Sequence, residues 1–156
     1  MQFPFDAFNG RILVAVDGSA NARRAVAHVA AVAACAESVQ IILLHIISEP
    51  DPDYFASPAE RLGWLAEHRI EAEAFMDDYK QILANHGIAE GRITALVKER
   101  DCPSLSECIM DEMRRLEAGT IAIGRTGLQA KEELLLGSVS KRIVHHAKNC
   151  AVWVVT

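Results

Sequence analysis

Two kinds of apolar pattern alternate along the chain. Arg11–Val16 (RILVAV) and Val39–Ile47 (VQIILLHII) are short runs of branched residues without polar alternation, the pattern of strands buried on both faces of a parallel sheet. Between them, Ala22, Ala25, Val26, Val29 and Ala33 recur at helical spacing, while Arg23, Arg24 and His28 fall on the wetter side. Asp17-Gly18 turns the chain and Ser19 is placed to cap this first helix. Ser48–Ser57 is a polar, proline-containing loop. Ser57-Pro58-Ala59-Glu60 then has the form of a capping box with proline at the first helical position. It predicts a second helix running to about Asn85-His86-Gly87, with a core stripe of Ala72, Phe75, Met76, Tyr79, Ile82 and Leu83.

The same alternation continues to the end. Arg92–Val97 (RITALV) predicts a third strand. Ser104-Leu105-Ser106-Glu107 is a second capping box, opening a helix through Leu116 with Leu105, Ile109, Met113 and Leu116 inward, ended by Gly119. Thr120–Ile123, Ser138–Ala147 and Ala151–Val155 (AVWVV) predict a fourth strand, a fourth helix and a fifth strand. The order βαβαβαβαβ, with no Ser/Gly-rich linker and no internal repeat, specifies an α/β domain: a parallel sheet covered by helices on both faces. The expected organisation is an N-terminal extension over residues 1–10 and one domain over residues 11–156.

Composition narrows the function classes. The 156 residues are 51% hydrophobic and 24% charged, with a net charge of -5 and the two signs interspersed. A broad nucleic-acid surface or an anionic-membrane surface is not expected. The N-terminus lacks the basic start of a secretory signal, and the longest apolar stretch, Ala25 to Ala36, is too short for a membrane span. The four cysteines, Cys35, Cys102, Cys108 and Cys150, form no CxxC pair and are expected as inert thiols in a reducing cytoplasm.

Candidate chemistry concentrates in Ile121–Ser140, IAIGRTGLQAKEELLLGSVS. Gly124 and Gly127 follow a buried strand, and Gly137-Ser138 opens a helix. Glycine admits an anion close to the backbone, and the first amides of a helix are unpaired at its positive end. A polyphosphate fits between the Gly124–Gly127 turn and the amides of Val139 and Ser140, with the Ser138 and Ser140 hydroxyls donating. Lys141 and Arg142 in the first turn of the last helix oppose its dipole, at about 0.3–1 kcal/mol per charge, and a bound anion reverses that cost. No P-loop, GxSxG or HExxH sequence is present, and His145-His146 lack partners at metal-ligand spacing. The expectation is a binding protein rather than an enzyme.

Gly124, two residues, Gly127, nine residues, then Gly137-Ser138 matches the G-2x-G-9x-G-(S/T) motif of ATP-binding universal stress proteins. With ILVAVDGS, LLHII and GSVSKRIVHHAKNCAVWVV in the same order, the chain resembles that family from about residue 10 onward. The resemblance implies a three-layer Rossmann-like sandwich of the adenine-nucleotide α-hydrolase type, with strand order 3-2-1-4-5. It implies Ala15, Val16, Asp17 and Ile46 around adenine and ribose, Ile123 near the base, and Gly124, Gly127, Gly137, Ser138, Val139 and Ser140 on ribose and phosphates. Arg125 and Lys131 offer further charge to the phosphates. ATP is the implied ligand, with AMP, cyclic AMP or a nucleotide-free dimeric interaction module as alternatives, and Mg²⁺ is expected to arrive on the nucleotide phosphates. The motif departs from the family at Arg100-Asp101-Cys102-Pro103, where a Gly-x-Pro is common. A homodimer through the apolar edge strand Val152–Val155 and an unidentified protein partner are expected. In that reading the Leu128–Leu136 loop reports nucleotide occupancy.

Overall fold

The five apolar runs form one parallel sheet. The computed structural model describes residues 9–128 and 136–156. Its strands are β1 (Arg11–Ala15), β2 (Gln40–Ser48), β3 (Ile93–Arg100), β4 (Thr120–Gly124) and β5 (Ala151–Val155), in the order β3-β2-β1-β4-β5. Every neighbouring pair is parallel; Leu13 lies beside Ile42 of β2 and Ile121 of β4. All of the middle strand except its ends is buried, with Ile12, Leu13 and Val14 at 0–1% exposure, which explains why its sequence carries no polar alternation.

Among the described residues four helices cover the two faces: α1 (Ala20–Ala33), α2 (Pro58–Asn85), α3 (Leu105–Arg115) and α4 (Ser138–His146). Side chains of α1 and α2, among them Ala25, Val29, Met76 and Leu83, pack with Ile12, Val14, Ile41 and Leu43. Side chains of α3 and α4, among them Ile109, Met113 and Ile143, pack on the opposite face with Leu13, Leu44, Ile121 and Ile123. Among the described residues no helix is long and apolar enough to cross a membrane.

The first two helix starts follow their sequence signals. Ser19 Oγ accepts from the Ala22 amide at 3.1 Å, and Ser57 Oγ from the Glu60 amide at 3.2 Å. Glu60 reaches back to the Ala56 amide, one residue before the cap. The third start differs. Ser104 is the N-cap of α3 but makes no side-chain cap bond, because its hydroxyl is held by Ser106 Oγ at 2.7 Å and accepts from Arg142 Nη1 at 3.0 Å. The helix then ends at Arg115, and the left-handed residue after it is Glu117, at φ 53°, rather than Gly119.

Two further features of the α3 side depart from the sequence reading. Cys102 and Cys108 are joined by a disulfide across the start of α3, whereas Cys35 and Cys150 are free; the expectation of four inert thiols is corrected. The turn after β3 brings Cys102 back over the first turn of α3, a chain path that cysteine spacing does not encode. Glu112 of α3, which lies outside the predicted inward set of Leu105, Ile109, Met113 and Leu116, is 1% exposed. It points into the sheet, where Lys98 and Arg100 of β3 meet its two carboxylate oxygens at 2.7 and 3.1 Å, and Arg115 adds a third contact at 3.2 Å.

A buried carboxylate of this kind is kept by its partners, and losing its charge strands theirs. The Lys98 and Arg100 side chains retain 31% exposure, so the loss falls below that of a fully buried pair. Glu112→Gln is expected to destabilise the domain by about 2–3 kcal/mol in urea unfolding; a change below about 0.5 kcal/mol means the network is held by solvent alone.

Candidate functional site

The reversal of strand order between β1 and β4 opens a crevice above their C-terminal ends. Ala15 and Ile123 pair at the last rung of the two strands. Asp17 lies just beyond β1, and Gly124 ends β4, so the structure brings together the two segments that carried candidate chemistry.

Asp17 joins three parts of this crevice. Its Oδ1 accepts from the Ser19 amide at 3.0 Å, fixing the turn into α1. Its Oδ2 accepts from the Leu128 amide at 3.1 Å, fixing the glycine turn after β4. Its main-chain carbonyl accepts from the Tyr79 hydroxyl of α2. Burial, with Asp17 nearby as a secondary cause, pushes the Tyr79 phenol up to about 12, which keeps it a donor. The sequence reading treated Tyr79 only as core; its hydroxyl carries no periodic signal.

The neighbouring Val16 is committed on both backbone groups. Its amide donates to the Leu44 carbonyl at 2.9 Å, and its carbonyl lies 2.8 Å from His45 Nδ1. That carbonyl accepts, so Nδ1 carries the proton. His45 also meets the Phe75 ring edge-on at 4.9 Å. Ile46, the next residue, is turned to the opposite face at 5% exposure. Its side chain and that of Ile123, at 3%, belong to the α3/α4 core.

The glycine turn is packed tightly against protein as well as open to the crevice. A Cβ at Gly124 would lie 2.8 Å from the Asn21 carbonyl carbon of α1, and one at Gly127 would lie 2.5 Å from Asp17 Oδ2. Both positions therefore need glycine before any ligand arrives. Asn21 secures the same turn from α1, donating through Nδ2 to Thr126 Oγ1 at 2.6 Å and to the Thr126 carbonyl at 3.2 Å. Asn21 and Thr126 escaped the sequence reading because short polar side chains near a turn look like any other surface residues.

Arg125 and α4 complete the phosphate end. The Arg125 amide donates to the Val155 carbonyl at 2.7 Å, extending the β4–β5 ladder by one bond. Its carbonyl accepts from the Gly137 amide at 2.9 Å and from Ser140 Oγ at 2.6 Å. The Ser140 hydroxyl, expected to donate to phosphate, is 3% exposed and donates inward instead. Arg125 Nε is buried with no hydrogen-bond partner among the described residues. Gly137 caps α4 without a side-chain bond, and the first helical bond is from the Lys141 amide to the Gly137 carbonyl. The amides of Ser138, Val139 and Ser140 thus lie in the unpaired first turn. Ser138 and Val139 also line an open cavity of about 300 Å³ with Ser104, Ser106 and Arg142. Arg142 is tied to Ser104, and Lys131 with the rest of residues 129–135 lies outside the described residues.

A doubly wound sheet with a glycine turn and a helix start at its switch point defines a class of crevice suited to a nucleotide. The model of the universal stress protein family matches residues 9–156, and the chain belongs to that family. A universal stress protein of Synechocystis is 27% identical over 158 residues, covering 94% of this chain and 97% of the relative. The structure of universal stress protein UspA from Lactobacillus plantarum is similar at 22% identity and TM-score 0.75, covering 94% of this chain and 97% of that one. A universal stress protein from Archaeoglobus fulgidus, solved in complex with dAMP, is similar at 20% identity and TM-score 0.66, again covering 94% and 97%.

His45 gives the crevice a pH dependence. Burial pushes its pKa below the ordinary 6.5, against smaller upward pulls from the Val16 carbonyl and Asp17 and a further downward push from His68. The unfolded chain then takes up a proton near pH 6.5 that the folded chain refuses until lower pH. This contribution is full above pH 6.5 and is lost as pH falls from there through the folded pKa, by at most about 1.4 kcal/mol per pH unit. Urea unfolding of wild type and His45→Gln between pH 7.5 and 5 is expected to show the steeper acid loss in wild type; parallel curves mean the imidazole stays solvated.

Proposed function

We propose that this chain is a cytoplasmic, ATP-binding stress protein that works as a nucleotide-responsive regulator and not as an enzyme. The observation that carries the reading is the meeting of Asp17 with the glycine turn at the strand-order reversal, made concrete by the Asp17–Leu128 hydrogen bond. Ala15, Val16, Asp17 and Ile46 bound the side for adenine and ribose. Gly124, Gly127, Gly137 and the amides of Ser138, Val139 and Ser140 bound the phosphate side. Arg125 Nε, without an acceptor among the described residues, fits an anion, because a buried donor left unmatched costs about 1–3 kcal/mol. Ser140 acts by holding the Arg125 carbonyl, and Mg²⁺ comes with the phosphates. The Archaeoglobus relative with dAMP supports an adenine nucleotide as the class of ligand.

The test is a thermal melt of nucleotide-stripped protein with Mg-ATP, AMP or cyclic AMP. Ligand at one hundred times its dissociation constant is expected to add about 2.7 kcal/mol, a rise of about 5–10 °C for a domain of this size. A rise with cyclic AMP alone assigns the crevice to that nucleotide, and no rise with any of the three overturns the reading.

The regulator is proposed to act as a homodimer, with another protein reading the nucleotide state. Among the described residues β5 pairs only with β4, and Val152, Trp153, Val154 and Val155 are all partly exposed. A free apolar edge of this kind is suited to antiparallel pairing with a second copy. Sedimentation velocity is expected to show a dimer for wild type and a monomer for the Val152→Lys, Val154→Lys double variant. A monomeric wild type overturns the assembly.

A further inference from the structure

We propose that Cys102 and Cys108 form a reversible thiol–disulfide switch that sets the position of the α4 N-terminus, and through it the phosphate end of the crevice. The second half of this proposal rests on the nucleotide reading above. The first half rests on the α3–α4 geometry alone.

The disulfide closes a short loop that contains Ser104. The Ser104 hydroxyl accepts from Arg142 of α4 at 3.0 Å, so the loop is bonded directly to the helix whose first turn contains Ser138, Val139 and Ser140. A second connection runs through the core. Cys108 is 4% exposed and packs in one cluster with Ile109 and with Ile143 of α4, and Cys102, Leu105 and Val139 pack against that cluster. Moving the Cys102–Ser104 segment therefore disturbs α4 through a hydrogen bond and through packing.

The placement of the bond suits a switch better than a brace. Its cysteines are six residues apart in sequence, so it excludes few unfolded conformations. What it constrains is the local turn between β3 and α3. Cys102 is partly exposed and can meet an oxidant, while the buried Cys108 lies within bonding reach of it and can resolve the oxidised sulfur.

The chemistry closes with a hydroperoxide as oxidant. The Cys102 thiolate attacks a peroxide oxygen, the O–O bond breaks, and a sulfenic acid forms with release of water. The Cys108 thiolate then attacks the sulfenic sulfur, the S–O bond breaks, and a second water leaves once protonated. Two thiols and one hydrogen peroxide thus give one disulfide and two waters. A dithiol reductant reverses the reaction by thiol–disulfide exchange, leaving as its own disulfide.

The test uses the full chain carrying Cys35→Ser and Cys150→Ser, so that only this pair reacts. It is treated with hydrogen peroxide or with dithiothreitol, and intact mass must show loss of two hydrogen atoms on oxidation; failure to lose them overturns the switch. Amide hydrogen exchange is then compared over residues 105–109 and 139–143. Reduction is expected to speed exchange at least about threefold in both segments. A change confined to residues 105–109, or no change, overturns the coupling to α4.

ATP titration of the two forms is expected to show at least about a threefold difference in affinity, a coupling of about 0.7 kcal/mol. Equal affinity with altered α4 exchange overturns the link to the phosphates. If ATP binds neither form, the nucleotide reading fails and the exchange comparison still judges the switch. The variant further carrying Cys102→Ser and Cys108→Ser is expected to behave as the reduced form after either treatment; a response to peroxide in that variant assigns the effect elsewhere.

Discussion

The Asp17 carboxylate is the point on which the crevice depends. One oxygen fixes the entry to α1, the other fixes the turn after β4, and the same residue's carbonyl ties down α2 through Tyr79. Three segments distant in sequence are thereby set around one end of the sheet. A carboxylate suits this position because it offers two oxygens in fixed geometry to two backbone donors.

Much of the architecture was legible because its signals are local and repetitive. β1 and β5 emerge from continuous branched runs, and α1 from alanines at helical spacing. Ser19 and Ser57 cap as their patterns require. Ser104 does not, because cap formation is a competition, and there another hydroxyl and an arginine from a later helix hold the side chain. Glu112 was illegible for a related reason. Its inward direction is stabilised by two cations on a strand, and strand-to-helix pairing is a property of the folded chain.

The structure gathers the candidate residues at one end of the sheet, for causes the glycine spacing did not show. That spacing points to a turn beside Asp17, and the family resemblance implies a ligand there. Yet Gly124 and Gly127 are each crowded by protein, one by the α1 backbone and the other by Asp17. Their absence of side chains therefore serves assembly of the crevice as well as access to it. Ser140 teaches the same lesson: a serine at a helix start suggests an outward donor, but this one is turned in to hold the Arg125 carbonyl.

The close seat of α1 on the end of β4 has a mechanical consequence. With Asn21 packed against Gly124 and hydrogen-bonded to Thr126, the first half of the sheet and the second are clamped together at the rim where they diverge. An incoming molecule meets a base held by side-chain bonds from α1, with the helix α4 mounted beside it. In such an arrangement the two halves of the sheet share one rim, so a substitution at Asn21 is felt on both sides of the crevice at once.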